Sequence, residues 1–592
     1  MTTARRGNSP QQGNRLKNQG GAPGITHCAG GLPRLPWYGL FLIFLYRLLL
    51  CLGTKTAESP DEWWQSTEIA YYIVFGKGHL SWEWHAGLRP VIFPGMLAVP
   101  FFLLKILGLD STWAVWFIAR FVQAFVVTAI DFFVFRLGAL LDVELRKATK
   151  NKQRTPDLPN PIVHVSMQGL TEGRKLGRSV AYFALLLSLS NWYMAFVGVR
   201  VYGNVLEALL ALMAVQATNY VGFLLLSGLA CAIRATSGIV LFPLLFIHAF
   251  WAVREGGLRR GLMHITFRGL LIFMLVFGAL VLCDSLFYGR LIITPIVFLR
   301  FNVLQNASRF FGEHPWYFYL FPSLPGLLGP HFIFTLFAPL VLYLDKTSRA
   351  VKWHIFGLFC VIVWPIFCYS LISHKENRFI LPVMPFFFVV TAFVLARWYD
   401  KSRAVRGLHR AFIVVNVTLA LVGGFVHRRG ALDAMSDLRS GPRVDRVDIV
   451  APCYTTPGYS FVHGKVNHLG LIDCPVHLNA ETGLPELTED SVFRRHPKDY
   501  VLWKYDGTHT FNVSYPEQRR KADELRRVVS PRSAPYPDVI VAFRDTAKKI
   551  RWCFLEKHGY KLYRSFFHTP LSLEPCEDVY LEMWVRKIVK NG

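Results

Sequence analysis

Long apolar runs, separated by short clusters of lysine and arginine, set the rhythm of residues 37–427. Runs at 37–52, 112–141, 179–198, 204–219, 220–234, 237–252, 262–286, 327–345, 353–372, 379–398 and 410–427 approach the ~20 residues that a helix needs to cross a bilayer. The pattern predicts about eleven transmembrane helices, with the shorter central runs crossing as tight hairpins. The run at 90–107 contains Pro90, Pro94 and Pro100, which predicts a broken helix lying at the interface and not a further span. Basic clusters at 146–178, 254–260, 346–352 and 401–410 belong on the cytosolic side. Counting crossings from a cytosolic N-terminus then puts residues 56–111, 284–325, 374–378 and everything after 427 in a lumen.

On either side of this module the pattern changes. Residues 1–36 are rich in Gly, Gln, Asn and Arg without apolar periodicity, which predicts a disordered cytosolic tail ahead of a signal-anchor helix. Residues 428–592 alternate short apolar runs, such as 447–451 and 539–543, with Pro- and Gly-rich turns, which predicts a small mixed α/β luminal domain. The fold class expected is therefore mainly α: a polytopic membrane protein whose module at 37–427 carries a first luminal loop, 56–111, with interfacial helices.

Composition sharpens this picture. With 53% hydrophobic residues over 592 positions, the chain is too apolar for a soluble protein of its length. A net charge of +26 invites a nucleic-acid reading, but the cations concentrate in short loops between apolar runs, so the charge reads as membrane orientation with no nucleic-acid partner. Ten cysteines show no metal-ligand spacing, and no metal is expected. Cys453, Cys474, Cys553 and Cys576 fall in the C-terminal region; they are either disulfide-bonded in one of three pairings or reduced and buried. Sequons at Asn306 and Asn512 lie where glycosylation is expected, whereas Asn416 falls inside a span.

Four polar clusters interrupt the apolar pattern. The first, ESPDEWWQSTE from Glu58, sets Asp61 beside Glu62 among Trp63, Trp64, Gln65 and Glu68, with Trp82, Glu83, Trp84 and Arg89 following. An interfacial belt of tryptophans explains the rings but not a Pro-Asp-Glu step, because ionisable groups at a membrane surface are costly unless they serve a site. In the second, RVYGNVLEA, the spacing of Arg200, Asn204 and Glu207 brings Asn204 and Glu207 near one helix face. The third is DSLFYGR, with Asp284, Tyr288 and Gly289, followed by Pro295, Phe298 and Asn302. The fourth, HKENRF, packs His374, Lys375, Glu376 and Arg378 between two apolar runs. Taken singly, Glu207, Asp284 and Arg234 read as helix-end residues that snorkel to the interface.

In this order, the four motifs resemble those of the mannosyltransferase family that uses dolichyl-phosphate mannose, a family of GT-C type that includes GPI-anchor and N-glycan enzymes. The resemblance spans most of residues 58–385; that family usually carries His where Ser59 stands. It implies transfer of mannose from a lipid phosphate to a sugar hydroxyl, which needs a base for the hydroxyl proton and cationic groups for the departing phosphate. The family's β-linked donor and α-linked product imply inversion by a single displacement. On this reading Asp61 is the general base and Glu62 its partner or the acceptor's orienter, although spacing alone does not choose between them. His374, Lys375 and Arg378 become phosphate ligands, with Arg89 a further candidate. Gln65, Glu68, Trp82, Glu83, Arg200, Asn204, Asp284, Tyr288 and Glu376 complete the expected substrate-binding set, and the tryptophans either stack on sugar rings or anchor in the membrane.

The partners implied are dolichyl-phosphate mannose, a mannosylated GPI precursor lipid and the membrane, with no separate cofactor. The location implied is the endoplasmic reticulum membrane, with the site and C-terminus luminal. The segment APCYTTPGYS (451–460), with His463 and Asp473-Cys474-Pro475, resembles the Pro-Cys-His-Ser-Thr-Pro stretch of the branch that adds the third GPI mannose in α-1,2 linkage; Tyr454-Thr455 replaces His-Ser. Alternatives within the family are the dolichol-oligosaccharide α-1,2 branch and the branch adding a fourth GPI mannose. From other classes come a noncatalytic subunit of a glycosylation complex and a lipid or sugar transporter, for which inverted repeats are the usual sign.

Overall fold

The computed structural model describes residues 35–150, 179–344, 349–476, 486–507, 516–531, 535–572 and 576–586. The expected disordered tail, most of the first basic cluster and the Asn512 sequon lie outside them. The helices that position the site are α1 (Trp37–Gly53), α2 (Glu68–Phe75), α3 (Ile92–Ile106), α4 (Thr112–Lys150), α5 (Val180–Ser190), α6 (Gly203–Val215), α7 (Tyr220–Ile233), α8 (Ser237–Gly256), α9 (Leu258–Tyr288), α10 (Arg349–Ser370), α11 (Met384–Trp398), α12 (Arg403–Phe425) and α13 (Gly430–Ser440).

Among the described residues, six helical segments are long and apolar enough to cross a membrane. They are Thr112–Arg146, Gly261–Tyr288, Trp316–Leu344, Arg349–Ser370, Asn377–Trp398 and Arg403–Phe425. The eleven expected crossings are not all of this kind. Helices α6 and α7, with 13 and 14 residues, extend only ~20 Å at 1.5 Å per residue, short of a ~30 Å hydrocarbon core. Apolarity is visible in the sequence of these two segments, whereas the ends of their helices are not.

The expected break at 90–107 is also absent. Helix α3 runs continuously through Pro100, and Pro94 falls in its first turn, where a missing N–H costs nothing. Its Phe93, Leu97, Ala98 and Phe101 are buried, while Met96, Val99, Phe102, Leu103 and Ile106 form an exposed apolar face, as suits a helix lying at an interface.

Charged pairs tie the bundle together internally. Arg47, in the middle of α1, bonds both carboxylate oxygens of Asp131 on α4 at 2.7 and 2.8 Å, and Asp131 also accepts from Ser188 of α5. Both ion-pair partners are fully buried, so each supplies the counter-charge that the other needs in an apolar setting. Asn416 is likewise buried, accepting from the Trp192 N–H on a neighbouring helix.

After α13 the chain builds a five-stranded sheet in the order β2-β1-β3-β5-β4, from β1 (Val444–Val450), β2 (Val466–Gly470), β3 (Val539–Phe543), β4 (Tyr560–Phe567) and β5 (Tyr580–Arg586). Strand β1 is parallel to both β2 and β3, while β5 runs antiparallel to β3 and β4. The two apolar runs that suggested a mixed α/β fold are β1 and β3. Every residue of β3 is buried, because side chains alternate between faces and both faces are covered: Ile540 and Ala542 join one core, Val539, Val541 and Phe543 the other. Cys453 and Cys474 form a disulfide, and Cys553 and Cys576 are free thiols.

Candidate active site

The Pro-Asp-Glu step starts a helix that runs into α2 through a π-helical turn, Trp63–Thr67. Successive helical residues point ~100° apart, so Asp61 and Glu62 face different clefts. Asp61 lines a cleft of about 690 Å³ whose wall also includes Gln65, Trp84, Arg89, Tyr202, Asn204 and Arg234. Glu62 lines a second cleft, of about 540 Å³, with Arg120, Arg200, Trp116 and Phe461.

The two carboxylates are also held differently. Asp61, partly exposed, forms a 2.5 Å ion pair with Arg378. Glu62 is buried against Arg200 at 2.6 Å, and that guanidinium further donates to the carbonyls of Thr56 and Phe196 and to the Thr56 hydroxyl. Glu62 is thus part of a saturated buried clamp, whereas Asp61 faces the cleft.

The remaining motif residues arrange themselves around this centre. Arg378 also pairs with Glu376 at 2.5 Å, and Asn204 donates to the Arg378 carbonyl. Burial opposes the Glu376 charge, but Arg378 and His374 outweigh it and hold the carboxyl below its usual range. Burial likewise opposes charge on His374, and its bonds to Glu376 and the Gly312 carbonyl raise it overall. Lys375 is buried and spends its ammonium on the carbonyls of His314 and Ile372, away from the first cleft. Of the expected phosphate ligands, only Arg89 is in the cleft wall itself, joined there by Arg234.

Arg89 pairs with Glu83 at 2.6 Å, and Glu83 also accepts from Gln65 at 2.9 Å. Asp284 and Tyr288 act on the backbone of this segment: Asp284 accepts from the Val91 N–H at 2.7 Å and from Thr294, and the Tyr288 hydroxyl donates to the Arg89 carbonyl. Arg234 and Glu207 pair at 3.2 Å across α6 and α7, both largely buried, so neither snorkels as the single-residue reading had them.

Glu68 and the tryptophans depart furthest from expectation. Glu68 points away from the first cleft and is fully buried, accepting from the Gly458 and Ser460 N–H groups and the Ser460 hydroxyl. A Cβ on Gly458 would stand 2.7 Å from Glu68 Oε2, so this close approach requires glycine. Burial lifts the Glu68 carboxyl to about 6 against those donors. Trp63, Trp64, Trp82 and Trp84 are only 4, 2, 7 and 1% exposed, which rules out a surface belt. The Trp64 indole donates to the Thr456 carbonyl, and the Trp84 indole to the Trp64 carbonyl. Of the four, only Trp84 joins the first cleft's wall.

Glu58 was not singled out from sequence. Its carboxylate accepts a short hydrogen bond from the Tyr202 hydroxyl, and burial, against Arg378 and Tyr202, raises its carboxyl. A third carboxylate within four positions of the Asp-Glu step was the available signal.

A family model for the Alg9-like mannosyltransferases matches residues 38–463. The chain is 53% identical over 557 residues to GPI mannosyltransferase 3 of Trypanosoma brucei brucei, an alignment covering 93% of this chain and all of the relative. It is 32% identical to GPI alpha-1,2-mannosyltransferase 3 of Danio rerio, covering 89% of this chain and 86% of the relative. The human protein of the same name is 29% identical, over 90% of this chain and 84% of that one. Among solved structures, ArnT from Cupriavidus metallidurans bound to undecaprenyl phosphate superposes with a TM-score of 0.51 at 11% identity, over 93% of this chain and 98% of ArnT. That likeness concerns the fold.

Proposed function

The chain belongs to the Alg9-like mannosyltransferase family, and we propose that it transfers mannose from dolichyl-phosphate mannose, in α-1,2 linkage, onto the second mannose of a GPI-anchor precursor. The reaction takes place on the luminal side of the endoplasmic reticulum membrane. The acceptor assignment is supported by identity to relatives named GPI mannosyltransferase 3 and GPI alpha-1,2-mannosyltransferase 3, and by the 451–460 segment, which docks on the same loop that holds Asp61.

The observation that carries the mechanism is the division of labour between adjacent carboxylates: Asp61 faces a cleft walled by Arg89 and Arg234, and Glu62 does not. Asp61 takes the proton from the acceptor's 2-hydroxyl as that oxygen attacks the anomeric carbon. The bond from that carbon to the phosphate oxygen breaks in the same step, and the phosphate leaves with the electron pair. Inversion follows from attack opposite the leaving group. Arg89 and Arg234 stabilise the charge on the departing phosphate. Arg378 holds the Asp61 carboxylate in place through their ion pair, with Glu376, His374 and Asn204 fixing Arg378 in turn.

The test is mass spectrometry of GPI intermediates in cells lacking this chain. A two-mannose precursor should accumulate, and complementation with wild type, but not with Asp61→Asn, should remove it. A normal GPI profile in the deletion would overturn the assignment.

A further inference from the structure

Arg120, in the wall of the second cleft, and Arg439, which packs on two of that cleft's aromatic rings, are cations that the mechanism does not use. Arg120 of α4 lies with its guanidinium carbon 4.4 Å from the Trp116 ring centre and 5.6 Å from that of Phe461. Arg439, in the last turn of α13, stands 4.2 and 4.8 Å from the same two rings. Two guanidiniums therefore pack against the same two rings, one arriving from the helix bundle and one from the helix that leads into the sheet. Among the described residues no carboxylate pairs with either, and the nearby Glu62 is committed to Arg200. Among the described residues Arg120 donates only to the Trp116 carbonyl of its own helix. Arg439 Nη1 and the Trp116 indole Nε1 are both buried without a hydrogen-bond partner.

Cation–π contact accounts for one guanidinium on a ring. It does not account for two like charges gathered there with buried donors left open, since an unsatisfied buried donor costs free energy and like charges add to the cost. An anion between them removes both penalties. Guanidinium forks fit phosphate oxygens well, and an indole N–H adds a neutral donor.

We infer that Arg120, Arg439 and Trp116 form a phosphate site on the Glu62 side of the Asp-Glu step, and that it takes the phosphodiester of the acceptor lipid. The second half rests on the function proposed above. An acceptor held there by its phosphate presents its glycan to the junction between bundle and sheet, where the Asp61 loop is docked.

The experiment uses the full chain purified in detergent, as wild type and as the double variant Arg120→Gln/Arg439→Gln. It compares a dimannosyl-glucosaminyl-inositol phospholipid with the same glycan lacking the phosphodiester. Wild type should prefer the phosphate-bearing acceptor by ~10-fold or more in kcat/KM, chiefly through KM, and the double variant should lose that preference. Separately, inorganic phosphate should raise the thermal midpoint of wild type and not that of the double variant. Arg439→Lys, which keeps the charge but not the fork, should retain part of both effects and checks that the loss is not misfolding.

If phosphate stabilises only wild type while the acceptor preference survives in the double variant, the site serves free phosphate or membrane headgroups, and the acceptor assignment is overturned. If neither readout separates the two proteins, the phosphate site itself is overturned. If wild type transfers mannose to neither acceptor, the proposed function fails, and the thermal comparison still decides the phosphate site.

Discussion

Asp61 and Arg378 meet at 2.5 Å beside a cleft, while Glu62, one residue on, turns away to a buried Arg200. Neighbours in sequence thus have separate expected phenotypes. Asp61→Asn should lower transfer by ~10²- to 10⁴-fold, the usual contribution of a general base, with little change in thermal midpoint. Glu62→Gln should behave oppositely, destabilising the protein by several kcal/mol through an uncompensated Arg200. Transfer assays on membranes and thermal midpoints of the same two purified variants measure the difference; equal destabilisation by both would contradict it.

The Glu62–Arg200 clamp gives a second test. Removing one partner strands the other, but replacing both with apolar residues strands neither. Glu62→Leu/Arg200→Met should therefore recover much of the stability that either single change loses, a coupling that a double-mutant cycle on thermal midpoints reads directly.

Glu68 carries a pH dependence whose sign follows from its burial. Its carboxyl titrates near the ordinary 4.5 when unfolded and at about 6 when folded, so the folded chain holds the proton more tightly. The stabilisation is complete below the unfolded value and is lost as pH rises through the folded one, amounting to about 2 kcal/mol. The protection factors of amides at 456–461, exchange rates referred to the intrinsic rate at each pH, should be higher at pH ~5.5 than at ~7.5, and Glu68→Gln should flatten the difference. Equal or lower protection at the lower pH would refute the assignment.

Cys453 and Cys474 should resist alkylation until the protein is reduced, whereas Cys553 and Cys576 should react once the chain is unfolded without reductant. With a sequence separation of 21, losing this link should cost about 3 kcal/mol on a chain-entropy estimate. Peptide mapping by mass spectrometry after differential alkylation identifies the pair.

Much of this architecture was legible in the sequence because it depends on local pattern. The long apolar runs became helices, and the runs at 447–451 and 539–543 became parallel strands, since period and length are properties of a few consecutive residues. What could not be read were partners distant in the chain. Glu68 reads as a substrate ligand in sequence, but Gly458 and Ser460 close on it, and Lys375 reads as a phosphate ligand, but it donates its hydrogen bonds to two carbonyls. The tryptophans suggested a surface belt because composition does not reveal which face of a short helix another segment will cover. Even the neighbouring carboxylates were separable only in part: the ~100° step says that they diverge, but not which of them finds a cleft.

The fully buried pair of Arg47 and Asp131 bears finally on the order of biogenesis. Helix α1 is made before α4 and carries an arginine at its centre, and a lone arginine at the middle of a membrane helix costs ~2.5–3.5 kcal/mol on insertion scales. Its neutralising aspartate is on α4 and is made only after the whole Asp61 loop has been translated. Until then Arg47 has no counter-charge, so burial of α1's polar centre waits on α4, and the two helices pack together only after the segment that joins them has been made.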